Sequence, residues 1–374
     1  MGGVEMNNKK IKNLSALLLA GMLLFGGISA YAAEPAEIVR QSGTQTQEIS
    51  QTSVRPNAPT LDSVKKTAYN RFVLTWSKVP KANGYYIYRK EEGKSFKRIA
   101  TVKGNKTFRY TDKTFVCNTK YTYMVKAYRK TEEGIIKSKN SNSIEKISKY
   151  KGMQQVNNCL YYFDKHHKCY RKVDGSKKMI CLTYDDGPSA NTASILKTLE
   201  KYDSVATFFI VGNRAASYQS TVKQIQKQHC QIGSHTYSHA TLTRLSSAGI
   251  KKEMSKTDSA IKKITGQKPT IMRPPGGSYN KTVRNSVGKP ILYWSVDTRD
   301  WATRSSSKTI RAVLGNAKDG DIVLMHDLYE STASASRTII PELVDRGYQL
   351  VTIDEMAALR GGMKNGSVYS SFRK

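Results

Sequence analysis

From residue 178 onward, short apolar runs alternate with stretches of helical length and periodicity. The runs "MICLTY", "VATFFIVG", "CQIGSH", "TIMRPP", "ILYWSV" and "DIVLMHD" are interleaved with "SILKTLEKY", "QSTVKQIQKQ", "IKKEMSKTDSAIKKITG", "SKTIRAVLGNA" and "TIIPELVDRG". A chain in this order buries both faces of its sheet only if the strands are mostly parallel with helices outside them. The pattern therefore predicts an α/β layered or barrel fold. In such folds, reactive residues collect where strands end and loops begin.

The charged residues of this half obey that rule. Asp185 and Asp186 follow "CLTY", His235 and His239 follow "QIG", Arg273 follows "TIM", Asp297 and Asp300 follow "YWSV", and His326 and Asp327 follow "IVLM". Two adjacent aspartates at the mouth of a buried strand repel unless a cation or a shared proton relieves them. Helix capping would occupy one of them at most. His235 and His239, four apart, are expected to project from one side of a helical turn toward one cation. With a carboxylate from another strand end they form a two-His, one-carboxylate set with open positions. Zn²⁺ suits this set, with other divalent ions left open. One aspartate then ligates the metal, and its neighbour takes a proton from the water bound there. Arg273 is placed to hold that base ionised. His326 is placed to act as an acid toward a leaving amine, with Asp300 setting its charge state. For His326 and Asp300 the alternative is a purely structural role.

The first half of the chain has a different period. "FVLTW", "GYYIYRK", "KRIATV", "FRYTD" and "KYTYMVKAYRK" alternate in twos, are rich in Tyr and β-branched residues, and have no helix between them. An antiparallel sandwich over residues 55–148 is expected, with Trp76 and the Tyr121, Tyr123, Val125, Ala127 series facing inward. Packing is the default role for each Tyr. The entry "APTLDSV", the run "LTWSKVPKANGYYIYR" and "NTKYTYMVKAY" resemble a fibronectin type III domain, with Tyr121 at the tyrosine-corner position. A spacer or a weak wall-binding module is the expected role. Residues 149–177 are expected to form a connector with one hairpin, with His166 and His167 at its turn.

Ahead of the sandwich, Lys9, Lys10 and Lys12 precede an apolar run, and Ala30 and Ala32 precede a cut at Ala33. Residues 1–32 thus read as a cleavable export signal, with an uncleaved anchor as the alternative, and the polar residues 33–54 as a flexible tether. The membrane is then a transient partner only, and the product is expected to be secreted or wall-associated. The formal net charge of +32 suits an anionic partner. The Lys are scattered and no nucleic-acid motif is present, so an anionic cell wall is the expected partner rather than nucleic acid. The oligomeric state is open. Of five cysteines, Cys159 and Cys169 could staple the connector hairpin after export, whereas Cys181 and Cys230 read as buried thiols and Cys117 completes an odd count.

Five blocks, "TYDDGPS", "SHTYSH", "RPPGGSYN", "SVDTRDW" and "IVLMHD", together with "ATFFIVGN", make residues 178–360 resemble the polysaccharide deacetylases, the NodB-homology carbohydrate esterases. The resemblance implies a distorted (β/α) barrel over residues 178–362, followed by a tail at 363–374. It also implies a metal-dependent hydrolase removing N-acetyl groups from sugar polymers. On this pattern Asp185 is the base, Asp186, His235 and His239 hold one divalent metal, Arg273 orients the base, and His326 is the acid tuned by Asp300. Zn²⁺ is the expected ion, with Co²⁺, Ni²⁺ and Mn²⁺ open. Trp301 and Leu324 match positions that wall the acetyl pocket. Gly276 stands where many members carry an aromatic residue, but it keeps the backbone N–H offered to the oxyanion; Tyr184 replaces a usual Phe. The expected substrate is N-acetylglucosamine in peptidoglycan. The alternatives are muramic-acid units, chitin oligomers, poly-N-acetylglucosamine, acetylated xylan, or a wall-binding protein without catalysis.

Overall fold

Alternation of period two builds the first part of the structure, a computed structural model that describes residues 55–374. The expected export signal and tether lie outside the described residues. Eight strands follow one another without a helix: β1 (Leu61–Ala68), β2 (Arg71–Trp76), β3 (Gly84–Glu91), β4 (Lys97–Lys103), β5 (Arg109–Asp112), β6 (Lys120–Thr131), β7 (Gly134–Lys137) and β8 (Ile144–Ile147). They form two antiparallel sheets, β1-β2-β5 and β4-β3-β6-β7, with β8 also paired to β6. One side of β6 carries Tyr121, Tyr123, Val125 and Ala127 into the core shared by both sheets, where Trp76 and Tyr85 meet. Tyr121 Oη accepts the Val116 N–H at 3.2 Å, a bond to backbone just upstream like that of a tyrosine corner.

Residues 149–177 are more ordered than a connector with one hairpin. They form a three-stranded antiparallel meander, β9 (Gly152–Val156), β10 (Cys159–Phe163) and β11 (Cys169–Asp174). Gln154 joins it to the sandwich, accepting from Cys117 N–H at 2.8 Å and donating to Phe115 C=O at 3.0 Å. Arg171 joins it to the barrel through two bonds to Glu355, at 2.7 and 3.0 Å. The Cys159–Cys169 staple left open from sequence does not form. The register sets Cys159 opposite Asp174 and Cys169 opposite Phe163, at opposite ends of the hairpin, and all five thiols are free. His166 and His167 lie at the turn as expected, with the backbone N–H groups of His166 and Lys168 donating to Asp164.

The rest alternates strand and helix: β12 (Met179–Asp185), α1 (Thr192–Lys201), β13 (Thr207–Ile210), α2 (Gly212–Ala215), α3 (Gln219–Lys227), β14 (Gln231–Ser234), α4 (Ser247–Thr265), α5 (Lys281–Ser286), β15 (Ile291–Leu292), β16 (Val296–Asp297), α6 (Asp300–Thr303), α7 (Ser306–Asn316), β17 (Asp321–His326), α8 (Glu330–Asp345), β18 (Gln349–Leu350), α9 (Ile353–Leu359) and β19 (Val368–Tyr369). The strands run parallel in the order β14-β13-β12-β17-β16, with β18 beside β12. Bridges through Met272 carry the curvature on to β15 and β19. This is a distorted barrel. Every residue of β12 is buried because both faces of the sheet are covered. Residues 363–374, read from sequence as a tail, are built into the barrel: β19 pairs with β15, and Phe372 N–H donates to Gly320 C=O at 2.8 Å. Among the described residues, no helix is long and apolar enough to cross a membrane.

Candidate active site

Parallel register brings the strand ends together. Asp185 at the end of β12 lies directly beside His326 at the end of β17, and Leu324 on β17 lies beside Asp297 on β16. These ends open into a cavity of about 470 Å³ lined by Asp185, Asp186, His235, His239, Gly276, Trp301, Leu324 and His326. A larger concavity of about 710 Å³ lies near Tyr170 and Lys223, away from this convergence of carboxylates and imidazoles.

Asp186 has a left-handed backbone, φ +70°, costly for a residue with a Cβ. That twist turns its side chain away from Asp185 and toward the histidines. Its Oδ1 lies 3.2 Å from His235 Nε2 and 3.0 Å from His239 Nε2. The same oxygen is buried yet accepts no well-directed hydrogen bond. His235 Nδ1 is 2.8 Å from the Arg273 carbonyl, which can only accept, so in the neutral ring Nε2 presents a lone pair to Asp186. Lone pairs converging on a buried carboxylate are unfavourable without a cation. This donor set of two imidazoles and one carboxylate fits a divalent metal with open positions.

The two histidines do not share a helical turn. They sit in the loop after β14, where Thr236 and His239 both take positive φ, +62° and +60°. Glu253 on α4 captures the loop by accepting from the Tyr237 and Ser238 N–H groups, each at 2.9 Å. A loop pinned from outside does what the helix was expected to do.

Arg273 is completely buried. It donates to Asp185 Oδ1 and to Thr183 Oγ1, both at 2.7 Å, and to the Tyr293 carbonyl at 2.8 Å. A buried guanidinium without such partners would be far too costly. Its network leaves Asp185 Oδ2 free of hydrogen bonds, facing the cavity. Neither aspartate caps α1, whose N-cap is Asn191.

His326 and Asp300 form the second pair. Asp300 Oδ1 lies 2.8 Å from His326 Nδ1, while Oδ2 accepts from the His326 backbone N–H at 2.8 Å and from Thr332 Oγ1 at 2.7 Å. Nδ1 therefore carries the proton and Nε2 is the atom left to work. Burial pulls the His326 pKa down, but the bond to Asp300 and the nearby Asp185 outweigh this, and the net shift is upward. Asp300 is shifted downward, its burial offset by His326 and Thr332. On the walls, Leu324 is buried and Trp301 half-exposed. Gly276 takes φ +61°, and no protein acceptor is found for its N–H among the described residues. A Cβ there would meet nothing within 4 Å, so the position has room for a side chain but a backbone that favours Gly.

Residues 172–289 match the family model described as polysaccharide deacetylase. The peptidoglycan-N-acetylglucosamine deacetylase of Bacillus cereus is 34% identical over 194 residues, covering 50% of this chain and 91% of that protein. The chain belongs to the polysaccharide deacetylase family. The peptidoglycan-N-acetylmuramic acid deacetylase PdaC of Bacillus subtilis is 40% identical over 189 residues, covering 50% of this chain and 40% of that one. The chain thus spans about two fifths of the length of PdaC and of the peptidoglycan-N-acetylglucosamine deacetylase PgdA of Listeria monocytogenes, 42% identical over 182 residues. A solved structure described as T48 deacetylase with substrate superposes with a TM-score of 0.51 at 39% identity, covering 53% of this chain and all of that one.

Within this deacetylase barrel the structure brings Asp185, Asp186, His235, His239, Gly276, Asp297, Trp301, Leu324 and His326 to one cavity, with Arg273 and Asp300 bonded behind them; Asp327, also at a strand end, instead accepts from Thr192 of α1 and does not line the cavity. The structure also adds some. Trp294 and Tyr329 line the cavity, and Thr183 and Thr332 hold Arg273 and Asp300. Thr183 lies inside the "TYDDGPS" block and could have been noticed there. Tyr329 and Thr332 carry no local signal.

Proposed function

We propose that the chain is an exported, metal-dependent deacetylase that hydrolyses the N-acetyl group of N-acetylglucosamine units in cell-wall peptidoglycan. One observation carries the reading: the Asp186–His235–His239 donor set, the Arg273-held Asp185 and the Asp300-held His326 all open into a single cavity. A divalent ion held by Asp186, His235 and His239 would supply a Lewis acid to the acetyl carbonyl. Asp185 Oδ2 takes a proton from the attacking water, while Arg273 holds the carboxylate in place through Oδ1. The Gly276 N–H is available to the oxygen on which negative charge develops. His326 gives a proton from Nε2 to the sugar nitrogen as the C–N bond breaks, leaving acetate and a free amine. Leu324 and Trp301 wall the space for the acetyl methyl.

The curated relatives named above act on peptidoglycan, by name. A net charge of +32 favours an anionic wall. The basic, apolar start of the sequence favours export. A wall-binding protein without catalysis would be expected to lack a base, a ligand or an acid, and all three are present.

The test is acetate release from purified peptidoglycan, with and without chelator, comparing wild type with Asp185→Asn. Release that a chelator stops and the substitution abolishes supports the proposal. Silence of the wild type on peptidoglycan, followed by release from chitin oligomers or acetylated xylan, would move the substrate. Silence on all three would sink the enzymatic reading.

A further inference from the structure

Beside the cavity stands a guanidinium that the chemistry above leaves unused. Arg304 closes α6 in a left-handed conformation, φ +46°. Its Nε donates to the Trp301 carbonyl at 2.7 Å, and its guanidinium carbon lies 3.7 Å from the centre of the Tyr329 ring. Both Trp301 and Tyr329 line the cavity, and the Tyr329 ring is 6.2 Å from that of His326. An arginine held by one bond and one ring face has already lost most of its rotamer freedom. The residue is exposed, and its guanidinium forms no ion pair among the described residues.

The fork of a guanidinium matches a carboxylate or phosphate in two parallel bonds. Arg304 does not itself line the cavity, so an anion paired with it lies on the rim rather than inside. It must belong to a group attached outside, on the saccharide next to the one being deacetylated. Resting on the peptidoglycan reading above, we propose that Arg304 is a carboxylate clamp for an acidic neighbouring saccharide, of the kind that carries a lactyl ether. Alternating glycans place such a residue beside every N-acetylglucosamine. Chitin offers none, so the clamp makes the site prefer an acidic glycan over a neutral one of equal length.

Two tetrasaccharides separate this from a structural role: a peptide-free alternating N-acetylglucosamine–N-acetylmuramic acid oligomer, with free lactyl carboxylates, and fully acetylated chitotetraose. With the zinc-loaded full chain, the ratio of kcat/KM for the acidic over the neutral oligomer should fall about tenfold in Arg304→Gln, chiefly through KM. Arg304→Lys should fall between, and added salt should narrow the wild-type ratio. An unchanged ratio, or an equal loss on both oligomers, overturns the clamp and leaves Arg304 as a brace for the Trp301 loop. If the wild type releases acetate from neither, equilibrium binding of the same oligomers decides the clamp. A preference for the acidic oligomer that Arg304→Gln abolishes supports it; equal binding refutes it.

Discussion

The sandwich and the barrel each bury an aspartate against an arginine and a hydroxyl-bearing neighbour, with opposite consequences. In the sandwich, Asp112 is fully satisfied. Oδ1 accepts from Thr114 N–H and Oγ1, both at 2.8 Å, and Oδ2 from Arg89 at 2.6 Å and Tyr123 Oη at 2.8 Å. In the barrel, Arg273 occupies only Oδ1 of Asp185, and Oδ2 is left facing a cavity beside His235, 3.9 Å away. The ingredients match, but the number of satisfied lone pairs does not. A buried carboxylate with every lone pair used is a structural clamp. One with an oxygen free, at the end of a parallel strand, is equipped to handle a proton.

The contrast is sharpest for charge removal. Asp185→Asn should cut acetate release from peptidoglycan by 10³-fold or more, the upper range for a general base, with the far-UV circular dichroism retained. Chelation should bring wild-type release down to background, and Zn²⁺ should restore it. Tm should fall on chelation and recover with the ion, because Asp186, His235 and His239 would again converge without a cation. Unaltered Tm and turnover under chelation would remove the metal from the account.

Asp300→Asn should cost about 10²-fold in kcat and change the pH profile. His326 has a raised pKa, so its acidic form persists above the ordinary imidazole range, and activity should fall as pH rises through that value. Removing the Asp300 charge lowers the His326 pKa, so the falling limb should move to lower pH. A limb that stayed in place would assign it to another group. Asp112→Asn should leave turnover unchanged and lower stability by about 3 kcal/mol, the cost of leaving Arg89 without its buried partner. Tyr123→Phe, which removes one of four bonds to Asp112, should cost about 1 kcal/mol in a denaturant titration, again with turnover intact. Lost activity in either sandwich variant would break the division of labour between the regions.

Much of the site was legible because strand ends are marked in one dimension. Apolar runs closed by Asp, His or Arg announce where side chains emerge, and Asp185, Arg273 and His326 emerge there. The His235–His239 loop was not legible in shape, since its curl depends on Glu253 reaching across from α4. Nor was the separation of Cys159 and Cys169, since spacing along a chain does not set cross-strand register. The third strand of the meander and the docking of residues 363–374 depend on partners more than twenty residues away in sequence, such as Phe115 for Gln154 and Gly320 for Phe372. Tyr329 and Arg304 meet only because β17 and α6 end on the same rim.

The sequence by itself determined the two periods, two and mixed, and so the all-β region followed by an α/β region. It also determined which side chains stand at strand ends, because burial of apolar runs forces polar residues out at their termini. Tertiary structure alone decided which oxygen of each aspartate is used, which imidazole nitrogen is free, and which rim residues face one another. Those choices depend on hydrogen-bond directions between segments far apart in the chain, and direction, unlike hydrophobic period, is not written locally.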